Sequence, residues 1–187
     1  DAQGLAVAPV AVNLSTVQFQ SVGFVEAVAQ VLADDGDAAR AARLIELELT
    51  ERMLMDDIGE VKHRLLRLKA MGLGISVDDF GTGYSSLGHL KELPIDKIKI
   101  DRSFVHDLPD NRDSAAITRA IVQLGLSLGM TVTAEGVETE AQRAFLLRQG
   151  CDQVQGLLIG PPMPLAAFED WARQRRAAER GAATSSP

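Results

Sequence analysis

The chain has 187 residues, 46% apolar and 24% charged, with a formal net charge of −7. Such a chain is long and apolar enough to fold as one soluble domain. An acidic balance also argues against a non-specific nucleic-acid binder, whose affinity comes from neutralising phosphates with Lys and Arg. An acidic domain that meets a phosphate needs a counterion, such as a divalent cation; the plainer reading is that the charge serves solubility. Aromatic residues make up 4% of the chain, so the core must be aliphatic. The single cysteine, Cys151, forms no internal disulfide, and a reducing, cytoplasmic setting is expected. No apolar run reaches the roughly 18 residues of a membrane span. The first residues lack the basic region of a signal peptide.

In chain order, a short β-branched run followed by an amphipathic stretch recurs six times. The predicted strand at residues 10–14 precedes a helix at 23–32. The strand at 44–49 precedes a helix ending near Met71, and that at 74–78 a helix at 85–93. The strand at 95–100 leads to a helix at 113–128, that at 131–134 to a helix at 140–149, and that at 153–159 to a helix at 165–176. Gly72, Gly129 and Gly150 each follow a helix, where glycine accepts positive φ without a Cβ penalty. Thr139 and Gln142 form a capping box. Residues 1–172 are expected to be one domain, and residues 173–187 the end of the last helix and a disordered tail.

Consecutive βα units imply a parallel sheet, either an open doubly wound sheet or a closed barrel. The polar residues favour the barrel. Asn13 and Ser15, Glu48 and Glu51, Asp78 and Asp79, Lys99 and Asp101, Glu135 and Glu138, and finally Gln155 each fall near the end of a different strand. A TIM-type barrel builds its site from many strand ends, whereas an open sheet uses one switch point. The expected fold is therefore an α/β, TIM-type (β/α) barrel. Six units are fewer than the usual eight, so the barrel is expected to be incomplete at its N-terminus.

Carboxylates converging on one mouth repel one another, and bound cations would remove the conflict. Oxygen ligands point to Mg²⁺ or Mn²⁺ rather than zinc. Asp78 and Asp79 are adjacent, and successive strand residues face opposite ways. Both reach one site only where the strand turns, and the glycines of Asp79-Phe80-Gly81-Thr82-Gly83 can supply that turn; a solvated loop start is the other reading. Lys99 lies between Ile98 and Ile100. Helices cover the outside of a barrel, so the inward position among carboxylates is favoured.

Asn13-Leu14-Ser15, Glu48-Leu49-Thr50-Glu51, Asp78-Asp79-Phe80-Gly81-Thr82-Gly83-Tyr84-Ser85-Ser86, Lys99-Ile100-Asp101, Ala134-Glu135-Gly136-Val137-Glu138 and Gln155-Gly156 together resemble the ordered motifs of EAL-domain phosphodiesterases. The resemblance implies metal-dependent hydrolysis of cyclic di-GMP to linear pGpG with two Mg²⁺ or Mn²⁺ ions. It makes Asn13, Glu48, Asp78, Asp79 and Glu135 metal ligands, with Glu48, Asp78, Lys99 and Glu135 catalytic. Lys99 would hold the attacking water. Gln155, Glu138 and Asp101 become candidate substrate contacts, while Glu51, Phe80 and Gly81 support the loop at residues 80–86. It also implies a homodimer and an upstream sensory or GGDEF-type domain in the parent protein, with no DNA partner.

The Glu-Ala-Leu motif that names the family lies upstream of the Asn motif, so this chain alone is expected to be weakly active or inactive. Leu157 and Pro161 stand where the family often has a tyrosine and a basic residue. The rival readings are a non-catalytic cyclic di-GMP receptor and a different barrel metalloenzyme, such as an enolase-like lyase.

Overall fold

The computed structural model describes residues 9–55, 57–83 and 87–183. Residues Pro9–Ile159 form one compact unit, and the chain from Gly160 onward belongs to a second. The first unit begins with β1 (Val10–Asn13), α1 (Thr16–Gln20), α2 (Phe24–Ala33), α3 (Ala38–Arg43) and β2 (Ile45–Thr50). A 3₁₀ turn (Glu51–Met55) leads into α4 (Ile58–Ala70), β3 (Gly74–Phe80), α5 (Leu87–Glu92) and β4 (Lys97–Ile100). Then come α6 (Arg102–Val105), α7 (Arg112–Leu128), β5 (Thr131–Ala134), α8 (Glu140–Gln149) and β6 (Gln153–Val154). The second unit carries α9 (Leu165–Ala183).

All strand pairs are parallel, and the sheet runs β1-β2-β3-β4-β5-β6. A doubly wound sheet reverses its strand order at the switch point. The unbroken order is that of a TIM-type barrel, as expected. Among the described residues β1 and β6 each pair with one neighbour, so the six strands make an incomplete barrel.

Strand alternation gives the sheet two chemically different faces. Leu47, Leu49, Ile75, Val77, Ile98, Ile100, Val132 and Ala134 lie on one face and are buried. Helices cover them with residues at helical spacing: Val61, Leu65 and Leu68 of α4, and Ile121, Val122 and Gly125 of α7. Burying each such aliphatic side chain contributes about 1.5–3 kcal/mol. The other face carries Glu46 and Glu48, Ser76 and Asp78, Lys97 and Lys99, and Thr133. Within it Lys97 pairs with Glu46 at 2.6 Å, and the Thr133 hydroxyl donates to Gln153 at 3.1 Å.

Local chemistry sets the helix ends. Thr139 and Gln142 form the expected capping box, and Ser15 with Gln18 forms a second at α1. Asp37, Asp57, Asp101 and Asn111 cap α3, α4, α6 and α7 with side-chain oxygens. Gly72, Gly129 and Gly150 all have positive φ.

Several boundaries differ from expectation. The segment between β1 and β2 folds into three short helices rather than one, because Asp37 restarts the helix after α2 ends. The predicted strand at 153–159 is two residues long. Its backbone leaves the ladder at Gln155, where the Gln155 carbonyl accepts from Val137 N–H at 3.0 Å and Leu158 N–H donates to the Val137 carbonyl at 3.0 Å. Gly156 lies so close to Val137 that a Cβ there would meet the Val137 carbonyl oxygen at 2.2 Å. The last helix runs to Ala183 instead of ending near Arg176, through an alanine-rich stretch of high helix propensity. Only residues 184–187 of the expected disordered tail remain beyond it, outside the described residues. On α9 the Phe168 and Trp171 rings stack at 5.9 Å, and the Arg175 guanidinium lies 5.2 Å from the Trp171 ring.

Two outcomes test this packing. Gly125 brings α7 against β5 so closely that a Cβ would meet Val132 Cγ2 at 2.3 Å. Gly125→Val should therefore destabilise the fold by about 1–3 kcal/mol in urea unfolding; unchanged stability would show that α7 can retreat freely. Cys151 is buried, and that burial pushes its thiol up to about 11. At pH 8 iodoacetamide should modify the native protein about a hundredfold more slowly than the urea-unfolded chain, because the thiolate is the nucleophile. Equal rates would contradict the burial.

Candidate active site at the strand ends

The inward face of the sheet ends in a charged cluster centred on Lys99, which is 5% exposed. Its ammonium lies 2.6 Å from Glu48 Oε1, 2.6 Å from Glu135 Oε1 and 3.2 Å from Asp78 Oδ1. Parallel pairing explains the convergence. Lys99 is opposite Thr133 on β5, two residues before Glu135, and Glu48 is opposite Ser76 on β3, two residues before Asp78. Asn13 of β1 is in register with Glu48 of β2, and the next residue, Leu14, donates its N–H to the Glu48 carbonyl at 2.9 Å.

A bulge in β3 resolves the problem of the adjacent aspartates. Val77 pairs with Ile98 and Phe80 with Ile100, so β3 spends one residue more than β4 over the same length. Asp78 and Asp79 together oppose Lys99, as in a bulge where two residues face one. Asp79 takes φ +53°, a left-handed conformation that aspartate tolerates better than most side chains. The strand thus continues through both aspartates to Phe80 instead of ending at Asp78. The extra residue also returns Phe80 to the apolar face, where it is buried beside Ile100.

The electrostatics follow from one ammonium facing three carboxylates. Burial alone would lower the pKa of Lys99, but the hydrogen bonds it donates to Glu135 and Glu48 outweigh this and hold the group above its ordinary value. Lys99 therefore stays an ammonium. Burial pushes the Glu135 carboxyl up; Lys99 opposes this, while Asp78 and Glu48 reinforce it. Asp79 is likewise raised, first by burial and then by the Asp78 and Asp101 carboxylates. The cluster carries more negative charge than its lysine can neutralise.

Asp101 caps α6 by accepting from Ser103 N–H at 2.9 Å and also accepts from the Ser103 hydroxyl. Burial would raise its carboxyl, but these bonds and one with Asp79 hold it below its ordinary value. Glu138 and Gln155 have exposed side chains, and the Gln155 backbone ties β6 to β5 through the Ala134 carbonyl at 2.8 Å.

Glu51 sits beneath the loop after β3. It is 3% exposed, and its Oε2 accepts from Gly81 N–H at 2.9 Å and Gly83 N–H at 3.2 Å. Gly81 has φ +98°, and a Cβ there would meet Phe104 at 2.9 Å, so the loop needs glycine for both reasons. Tyr84, Ser85 and Ser86 of the same motif lie outside the described residues.

Glu46 and Lys97, the ion pair one layer below the cluster, were not singled out from the sequence. The signal was present in the period-2 pattern of Ile45-Glu46-Leu47-Glu48 and Lys97-Ile98-Lys99-Ile100. Among the described residues no three His, Cys, Asp or Glu side chains stand ready to hold an ion, because Glu48 and Glu135 close on Lys99 instead. The donor chemistry nevertheless fits a hard divalent cation. Every converging acceptor is a carboxylate oxygen, and their negative charge exceeds that of the ammonium.

The EAL domain family profile matches residues 1–162. The bifunctional diguanylate cyclase/cyclic di-GMP phosphodiesterase MucR of Pseudomonas aeruginosa is 50% identical over 155 residues, covering 83% of this chain and 22% of that protein. A solved structure, the PaMucR phosphodiesterase in complex with c-di-GMP, superposes with a TM-score of 0.81 at 48% identity, covering 86% of this chain and 64% of that one. The manganese/cyclic di-GMP complex of Klebsiella pneumoniae BlrP1 gives a TM-score of 0.74 at 30% identity, covering 86% of this chain and 40% of that one. The chain spans about a fifth of the length of the curated relatives it matches. With its strand-end motifs in family order and its sheet in barrel order, the chain belongs to the EAL domain family.

Proposed function

We propose that this chain binds cyclic di-GMP and, in its parent protein, hydrolyses one phosphodiester to give linear pGpG with the help of two Mg²⁺ or Mn²⁺ ions in the cytoplasm. The observation that carries this reading is the buried Lys99 ammonium ringed by Glu48, Asp78 and Glu135 at the strand ends. It is supported by the cyclic di-GMP complex of MucR and the manganese complex of BlrP1. Asn13, Glu48, Asp78, Asp79 and Glu135 would hold the ions. When bound, such ions make water more acidic and offset charge on the entering and leaving oxygens of an in-line displacement.

The chain's own residues do the rest. Lys99, a compact charge at the mouth, orients the attacking water and offsets negative charge growing on the phosphoryl oxygens. Gln155 and Glu138, exposed in this structure, contact the nucleotide. Asp101, which caps α6 through Ser103, is the third candidate contact to the nucleotide. Glu51 holds Gly81 and Gly83 of the loop after β3, and the same loop carries the contacts of a homodimer.

In the full-length protein, Glu48→Ala and Asp78→Ala should each lower hydrolysis by at least about a hundredfold, the scale on which a single stabilising group acts. Chromatographic assay of pGpG provides the measurement, and chelation by EDTA should abolish turnover reversibly. Wild-type rates in either variant would refute the assignment. Tight binding of cyclic di-GMP without turnover in the wild type would favour a receptor. Glu51→Ala should cost about 1–3 kcal/mol by leaving the Gly81 and Gly83 N–H groups without their acceptor. It should also speed amide exchange at those two residues, and unchanged exchange would rule out the tether.

A further inference from the structure

A divalent cation placed among Glu48, Asp78 and Glu135 would stand where the Lys99 ammonium now stands. The ammonium is within 2.6 Å of two of these carboxylates and 3.2 Å of the third. Resting on the proposed metal-binding role of these carboxylates, we propose that Lys99 and a divalent cation compete for the same oxygens, so that ion loading proceeds by displacing the lysine from them.

The geometry beneath the cluster leaves Lys99 as the competing charge. Lys97, on the same face one layer down, is held by Glu46 at 2.6 Å and does not reach the upper carboxylates. Outward movement of the Lys99 ammonium breaks its contacts to Glu48 and Glu135 and frees their oxygens together. The displaced charge remains tethered at the mouth, close to where an anionic substrate would enter. Such a site resists loading at low ion concentration, and its carboxylates never face one another without a cation between them. A buried carboxylate pair left uncompensated would otherwise be costly.

The test is Mn²⁺ binding followed by electron paramagnetic resonance on the full-length protein after chelator treatment and dialysis. Lys99→Met removes the competitor and should bind Mn²⁺ about tenfold or more tightly than wild type, a difference of about 1.4 kcal/mol. Hydrolysis in the same variant should fall, so affinity and turnover move in opposite directions. A merely structural lysine would instead lower both. Lys99→Gln, which keeps hydrogen-bonding groups but no charge, should also bind more tightly, and it decides the matter if Lys99→Met does not fold. Equal or weaker Mn²⁺ binding by the folded variants would overturn the competition. Glu48→Gln separates this outcome from failure of the underlying site. If wild type and Glu48→Gln bind Mn²⁺ alike, the metal-site reading itself fails; if Glu48→Gln weakens binding and the lysine variants do not strengthen it, only the competition fails.

Discussion

A buried ammonium in contact with three carboxylates survives only where the backbone fixes every partner. Lys99 obtains that support from the ends of β2, β3, β4 and β5, where the side chains of Glu48, Asp78 and Glu135 converge on it. The apolar residues between them sit on the opposite face under the helices. Their burial holds the strands, and the strands hold the charges. Removing one charge from such a cluster costs more than a surface ion pair would, because the partner left behind remains away from water.

The inward face is layered. Glu46 and Lys97 form a neutral pair below, and the Lys99 cluster above has an excess of acid. The lower pair adds no net charge beneath the mouth, whereas the upper cluster is left with an excess of carboxylates. This division lets one domain be stable and still carry an acidic mouth. Glu51 extends the same logic to the loop, since a buried carboxylate satisfies two backbone donors that the glycine-rich turn exposes.

Much of this was legible in the sequence. Period-2 strands, helix-ending glycines and the Thr139–Gln142 box located most elements, and the spread of polar residues over every strand end indicated a barrel rather than an open sheet. The short helices were not found, although Ser15 with Gln18 carried the same capping signal as Thr139 with Gln142. They are too short for hydrophobic periodicity to declare itself. The shortened β6 was hidden because its residues are apolar enough for a strand, and the backbone turn toward Val137 depends on a tertiary contact. The inward position of Lys99 among carboxylates was legible, but that Glu48 and Glu135 would be its nearest partners was not. Alternation gives the face of a residue but not which of its neighbours it will touch.

The bulge at Asp78 and Asp79 makes chain length at that point as constrained as residue type. The extra residue reverses the strand's alternation for everything that follows, which is why Phe80 enters the apolar layer and Gly81 and Gly83 arrive over Glu51. Deleting a single residue there would leave the composition of the loop almost untouched. It would keep Phe80 opposite Ile100 but straighten the bulge and leave one aspartate, not two, opposite Lys99; adding one residue would instead turn Phe80 toward the charged mouth and carry the glycine N–H groups away from their acceptor. Insertions and deletions are therefore better tolerated in the segments between β1 and β2 than in this short stretch of β3, where the phase of the strand is itself part of the site.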